Sequence, residues 1–315
     1  MAHILKRIAL VIPTLLGISI IAFSLIHLIP GDIVTAILGL EGAKDPELRR
    51  RLESTLLLDR PLYEQYLVWL SRVIQGNLGD SLIYGTPVIT EVLRRIPATA
   101  LLTTMGLMIA VALGIPLGVV SAVARGRATD GIVRLVSLIL ISLPSFFVGA
   151  LMIVVASIYA PGMRIIGYSP FEQDPIRSVA QMFWPALALA LGLMALFLRY
   201  TRSAMLDVLS QDYIRTARSK GLRERSVLFR HALRNALLPV ISVIGAQTAY
   251  LVGGAILIEN VFAIPGIGRL MLNAISQRDY PMVQGAVLVV ATGVVLVNIV
   301  VDIAYRLADP RLNLR

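Results

Sequence analysis

The sequence predicts an all-α integral membrane protein with six transmembrane helices and both ends in the cytoplasm. Three observations lead there. Of 315 residues, 57% are hydrophobic and 15% charged, against about a quarter charged in a soluble domain. Six charge-free apolar runs, residues 8–29, 98–124, 135–163, 178–198, 235–258 and 280–301, each reach the roughly 20 residues that cross about 30 Å of hydrocarbon. They are continuous rather than alternating, which selects helices over a barrel. Finally, segments 1–7, 125–134, 199–234 and 302–315 hold 17 of the 29 Lys and Arg residues. The other side holds 12, eight of them in the long segment 30–97 beside nine acids. The bias of the short loops puts the first set inside.

The first run follows Lys6 and Arg7 and ends at Pro30-Gly31-Asp32, with no small-x-small cleavage site. It reads as an uncleaved first span rather than a secretory signal. Segment 30–97 reads as an external helical cap. Residues 47–53 form an amphipathic helix, Asp59-Arg60-Pro61-Leu62 a stop and restart, 63–70 a second short helix, and 76–81 a turn. Pro144, in Ser142-Leu143-Pro144-Ser145-Phe146-Phe147, is expected to kink the third span.

Between spans four and five lies Ser210-Gln211-Asp212-Tyr213-Ile214-Arg215-Thr216-Ala217-Arg218-Ser219-Lys220-Gly221-Leu222. Ser210 or Asp212 is placed to cap a short helix, and Gly221 to end it in the left-handed conformation. A second short helix, 224–235, follows. A short capped helix at the membrane face suits a partner's groove; a basic loop that only sets topology is the alternative.

Span five is crowded with Gly245, Ala246, Ala249, Gly253 and Gly254, which serve either close helix packing or a mobile pore wall. Gln247 and Asn298 either line a path or join helices. Glu259, at the end of span five, reads as an interfacial anchor rather than a proton carrier. His3, His27 and His231 are scattered and make no metal cluster, and the chain has no cysteine, which excludes a disulfide framework, a thiolate metal site and a Cys nucleophile. The net charge of +10 is the cytoplasmic bias of a membrane protein, not a nucleic-acid footprint.

The 210–222 stretch resembles the cytoplasmic coupling loop of ABC importer permeases. It is closest to the dipeptide, oligopeptide and nickel branch, whose pattern is acidic-Tyr-(Ile/Val)-Arg-Thr-Ala-Arg-x-Lys-Gly-Leu. Arg215-Thr216 stands where sugar permeases have Glu-Ala, and Pro239 lies 18 residues after Gly221; the peptide branch shares both departures. Leu58–Leu62, Gln65-Tyr66, Glu259–Leu270, Arg278–Pro281 and Asp309-Pro310-Arg311 are similar to the same branch. Gly76-Asn77-Leu78-Gly79-Asp80-Ser81 departs from the usual Gly-Asp-Leu-Gly-x-Ser at Asn77.

The resemblance implies a type I ABC importer permease fold and a non-catalytic subunit in a bacterial inner membrane. Its implied partners are a homologous second permease, two ATPase subunits and an external substrate-binding protein, besides membrane lipid. The 30–97 cap and the 264–282 segment would be docking surfaces for the binding protein. The chain has no Gly-x-x-x-x-Gly-Lys-(Ser/Thr) loop, so ATP and Mg would sit on the partners and no cofactor on this chain. Asp212, Tyr213, Ile214, Arg215, Thr216, Ala217, Gly221 and Leu222 would couple to the ATPase, with Tyr213, Ile214 and Ala217 as the inserted face. Gln247, Gly253, Gly254 and Asn298 are candidates for the path. Peptides are the expected cargo; nickel, glutathione or opines are the alternatives within the family. A secondary transporter would need charges inside the spans, and an intramembrane enzyme paired acids or a Gly-x-Ser-x-Gly elbow; the six runs carry neither.

Overall fold

A computed structural model describes residues 2–28, 34–35, 44–55, 58–163 and 165–308. Pro30-Gly31-Asp32, Asp309-Pro310-Arg311 and the side chains of His3 and His27 lie outside the described set. Helices dominate, and among the described residues the sole extended pairing is an isolated bridge between Asp80 and Pro87. The helices are α1 (Ala2–Leu28), α2 (Pro46–Thr55), α3 (Leu62–Ile74), α4 (Val88–Leu93), α5 (Ile96–Val123), α6 (Ala128–Ser142), α7 (Ser145–Tyr159), α8 (Pro175–Leu209), α9 (Asp212–Ser219), α10 (Glu224–Val261), α11 (Ile267–Ser276) and α12 (Tyr280–Ala308). By length and composition four segments can cross a membrane: Val88–Val123, Pro175–Leu209, Glu224–Val261 and Tyr280–Val301. The bent pair α6 and α7 counts as a fifth if the two helices are one broken span. In α1 the fully described apolar part, Val11–Ser24, is shorter.

Two boundaries differ from the sequence reading. Pro144 does more than kink the third run: α6 and α7 are bent by 101°. Leu143 (φ −93°, ψ 128°) and Pro144 (φ −60°, ψ 137°) are both extended, because the proline ring drives its predecessor out of the helical region. The expected separate helix 224–235 is instead the start of α10. A π-helical turn, Val227–Leu233, carries the chain into the fifth run without a break.

The chain divides into two compact units, Met1–Ile96 with Leu270–Val295, and Pro97–Arg269 with Leu296–Arg315. In the first, α3 packs on α1 through Phe23, Tyr66 and Trp69, with ring centroids 5.5 to 6.1 Å apart. The Tyr66 and Ser19 hydroxyls share a 2.8 Å hydrogen bond. The 76–81 turn forms as expected: Gly76 and Gly79 adopt positive φ, and the Asn77 side chain accepts from the Gly79 amide at 2.9 Å. Asparagine in place of aspartate therefore still closes the turn.

In the second unit, α8 is the central helix, flanked by α10, α6 and α7. Leu102, Met182, Phe197, Leu251, Ile258 and Phe262 are buried in its core. Helices α5 and α8 come close through Gly114 and Gly118, one turn apart. A Cβ on Gly118 would stand 2.6 Å from the Thr201 Cβ and 2.7 Å from the Leu198 carbonyl. Small residues at this spacing let two membrane helices approach backbone to backbone.

Candidate coupling site

Helix α9 is a single short helix held at both ends. At its start Gln211 is extended (φ −74°, ψ 148°) and makes no side-chain cap. The expected caps are elsewhere: the Ser210 hydroxyl donates back to the Asp207 carbonyl in the last turn of α8 at 2.7 Å, and Asp212 is the first helical residue. At its end the Gly221 amide donates to Arg218 O at 2.9 Å and the Leu222 amide to Ala217 O at 3.4 Å. That pair of bonds is a Schellman motif. It needs a left-handed residue, and Gly221 supplies one at φ +75°.

The face expected to insert is divided by the structure. Ile214 and Ala217 are buried in the chain's own cluster with Val119, Ala122, Met205, Val227, Ala232 and Ala236. A three-residue spacing on one helix face turned toward α5 and α8 explains it: these side chains dock α9 onto the spans. Tyr213 stays exposed, and so do Asp212, Arg215, Thr216 and Leu222. The Tyr213 hydroxyl accepts from Asn235 Nδ2 at 2.9 Å, so the ring is braced against α10 about three turns from its start. Arg218 bridges the turn to Glu224 at 2.7 and 3.2 Å. The hydrogen-bonded carboxylate raises the Arg218 guanidinium pKa above its ordinary value. The pair is open to water, where such bridges contribute little to stability.

Of the candidate path residues, Gly254 packs against Leu189, while Gln247 is half-buried and Gly253 and Asn298 are exposed. They lie on α10 and α12.

The second unit holds a buried polar centre read from sequence as an interfacial anchor, and another that the sequence reading did not single out. Glu259 lies inside α10, not beyond the span, and is fully buried. Its carboxylate accepts from Thr99 Oγ1 at 2.6 Å and from the Arg269 amide at 3.1 Å. Thr99 Oγ1 in turn accepts from the Ile267 amide at 2.9 Å. Together they satisfy two of the orphan amides at the start of α11. Close approach leaves room only for glycine nearby: a Cβ on Gly266 would overlap the Glu259 carboxylate, and one on Gly268 would stand 2.5 Å from Ile256 Cα. The second centre is Asp130. It takes both arms of Arg202 at 2.8 and 2.9 Å and the Ser121 hydroxyl at 2.7 Å, joining α5, α6 and α8.

Residues 114–314 match the family model described as the binding-protein-dependent transport system inner membrane component. Residues 1–103 match the model for the N-terminal part of such membrane components. The chain is 41% identical to the dipeptide transport system permease protein DppB of Escherichia coli K12, with 98% of each chain covered. It is 41% identical to the di/tripeptide transport system permease protein DppB of Pseudomonas aeruginosa UCBPP-PA14, with 99% of each covered. A putative peptide permease protein of Brucella ovis is 42% identical over 99% of this chain and 98% of its own. The matches agree with the resemblance read from the motifs, and they cover the 30–97 segment as well as the long apolar helices. The chain belongs to the family of inner-membrane components of bacterial binding-protein-dependent transport systems and is a transport permease subunit, not an enzyme.

Proposed function

We propose that this chain is the permease subunit of an ATP-driven importer of di- or oligopeptides, forming half of the translocation path. The observation that carries this reading is likeness over the whole chain to permeases named for dipeptides, di/tripeptides and peptides. Six spans are α1, α4 with α5, α6 with α7, α8, α10 and α12, with both ends inside. The Lys/Arg bias supports that topology.

Energy enters through α9. Its buried residues Ile214 and Ala217 fix it to the spans, so a push on the helix moves the membrane core with it. Tyr213, with Asp212, Arg215, Thr216 and Leu222, is the outer face that meets an ATPase groove, and Gly221 keeps the turn. Gln247, Gly253, Gly254 and Asn298 contribute to the path, which a homologous second permease completes. A binding protein delivers substrate at the outer side.

Reconstitution with the two ATPases, the second permease and the binding protein tests the cargo. Labelled dipeptides and tripeptides should accumulate in the vesicles. Nickel or glutathione accumulating in their place would replace the peptide reading while keeping the importer.

A further inference from the structure

Helices α6 and α8 border an open cavity of about 650 Å³ in the second unit, lined by Arg134, Leu135, Leu138, Leu198, Arg199 and Arg202 among others. Three guanidinium groups and an apolar floor are an unusual combination, because a cavity for a small soluble anion has little use for leucine. The three cations are not equivalent. Arg202 is held bidentate by Asp130, so its charge is answered. Among the described residues neither Arg134 nor Arg199 has an ion-pair partner, and both are exposed. The cavity therefore carries two uncompensated positive charges, while the Asp130–Arg202 pair fixes the helices on either side.

The apolar part continues along α6: Leu135 and Leu138 of the lining, and Ile132 and Ile139 beyond it, are each more than half exposed. Arg134 and Arg199 sit where the sequence puts the cytoplasmic edge of spans three and four, at headgroup depth. Cationic pockets between membrane helices on that side hold anionic headgroups, and the guanidinium fork matches phosphate oxygens.

We propose that this cavity binds one anionic phospholipid, its phosphate between Arg134 and Arg199 and its acyl chains along the exposed apolar face of α6. A zwitterionic headgroup fits worse, because its own ammonium would face two guanidinium groups. The site lies apart from α9 and does not depend on which cargo the importer carries.

Native mass spectrometry of the assembled importer, purified in mild detergent, reads the lipid directly. Phosphatidylglycerol or cardiolipin should remain bound to the wild type. In Arg134→Gln/Arg199→Gln its affinity should fall roughly thirty-fold, about fivefold for each cation, while Arg134→Lys/Arg199→Lys, which keeps the charge but loses the guanidinium fork, should fall between that variant and the wild type. A photo-crosslinker at Leu138 in the otherwise wild-type chain should label lipid, a readout that does not depend on how the arginine variants fold. Phosphatidylcholine binding as tightly as phosphatidylglycerol would overturn the proposal, as would equal retention by the glutamine variant. Inorganic phosphate or a peptide carboxylate displacing the lipid would assign the arginines to a soluble anion. A Leu138 crosslink to the second permease would make the cavity a subunit interface.

Discussion

The Ser81 hydroxyl donates a hydrogen bond to the Asp279 carboxylate, joining residues 198 positions apart within the first unit. The other carboxylate oxygen accepts from the Leu82 amide at 3.2 Å and the Met282 amide at 3.3 Å. One side chain thus caps α12 and pins the loop between Gly79 and Val88. Both residues are buried. Replacing Asp279 with Ala should cost about 1–3 kcal/mol, since it strands buried donors, and Asp279→Asn should cost less. Thermal unfolding in detergent measures the difference.

Thr99 and Glu259 do the corresponding work for α11. Thr99→Ala removes the acceptor for the Ile267 amide and one donor to Glu259, with an expected loss of about 1–3 kcal/mol. Gly266→Ala should be at least as damaging, because its methyl group takes the space of the Glu259 carboxylate. Faster hydrogen exchange of the first α11 amides in both variants would locate the effect; unchanged exchange would contradict the capping role.

Glycines in the spans should differ sharply by position. At Gly118 an added Cβ meets Thr201 and the Leu198 backbone, whereas at Gly253 nothing lies within 4 Å. Gly118→Ala is expected to lose about 1–3 kcal/mol by overpacking, while Gly253→Ala should gain about 0.5–1 kcal/mol from helix propensity. Melting temperatures of the two variants should move in opposite directions.

At the coupling helix, the exposed Tyr213 should act as an interface anchor. Tyr213→Ala is expected to weaken ATPase binding by about 2 kcal/mol, roughly thirty-fold, with membrane insertion intact. Gly221→Trp should abolish transport by a different route. The space around Gly221 is open, but φ +75° is strained for any side chain, at a cost of roughly 1–2 kcal/mol. Pull-down of the ATPase beside an insertion assay separates the two effects.

What was legible in the sequence was local. Helices α2 and α3, the glycine turn at 76–81 and the left-handed Gly221 each follow from residues within one or two turns of one another. What was not legible depends on distant partners. Ile214 and Ala217 look like a free apolar face until Met205 and Val227 are placed beside them. Glu259 looks interfacial until Thr99, 160 residues earlier, closes on it. Pro144 marks the break in the third run, but a proline specifies only the break and leaves the size of the bend to tertiary packing, here 101°.

The most direct measurement is uptake of a labelled dipeptide into proteoliposomes holding the assembled importer, with binding protein outside and ATP at the ATPase face. Uptake should require both ATP and binding protein, and should fall to background in Gly221→Trp while the chain remains inserted. Uptake at an undiminished rate without ATP, or in the inserted Gly221→Trp variant, would contradict coupling through α9.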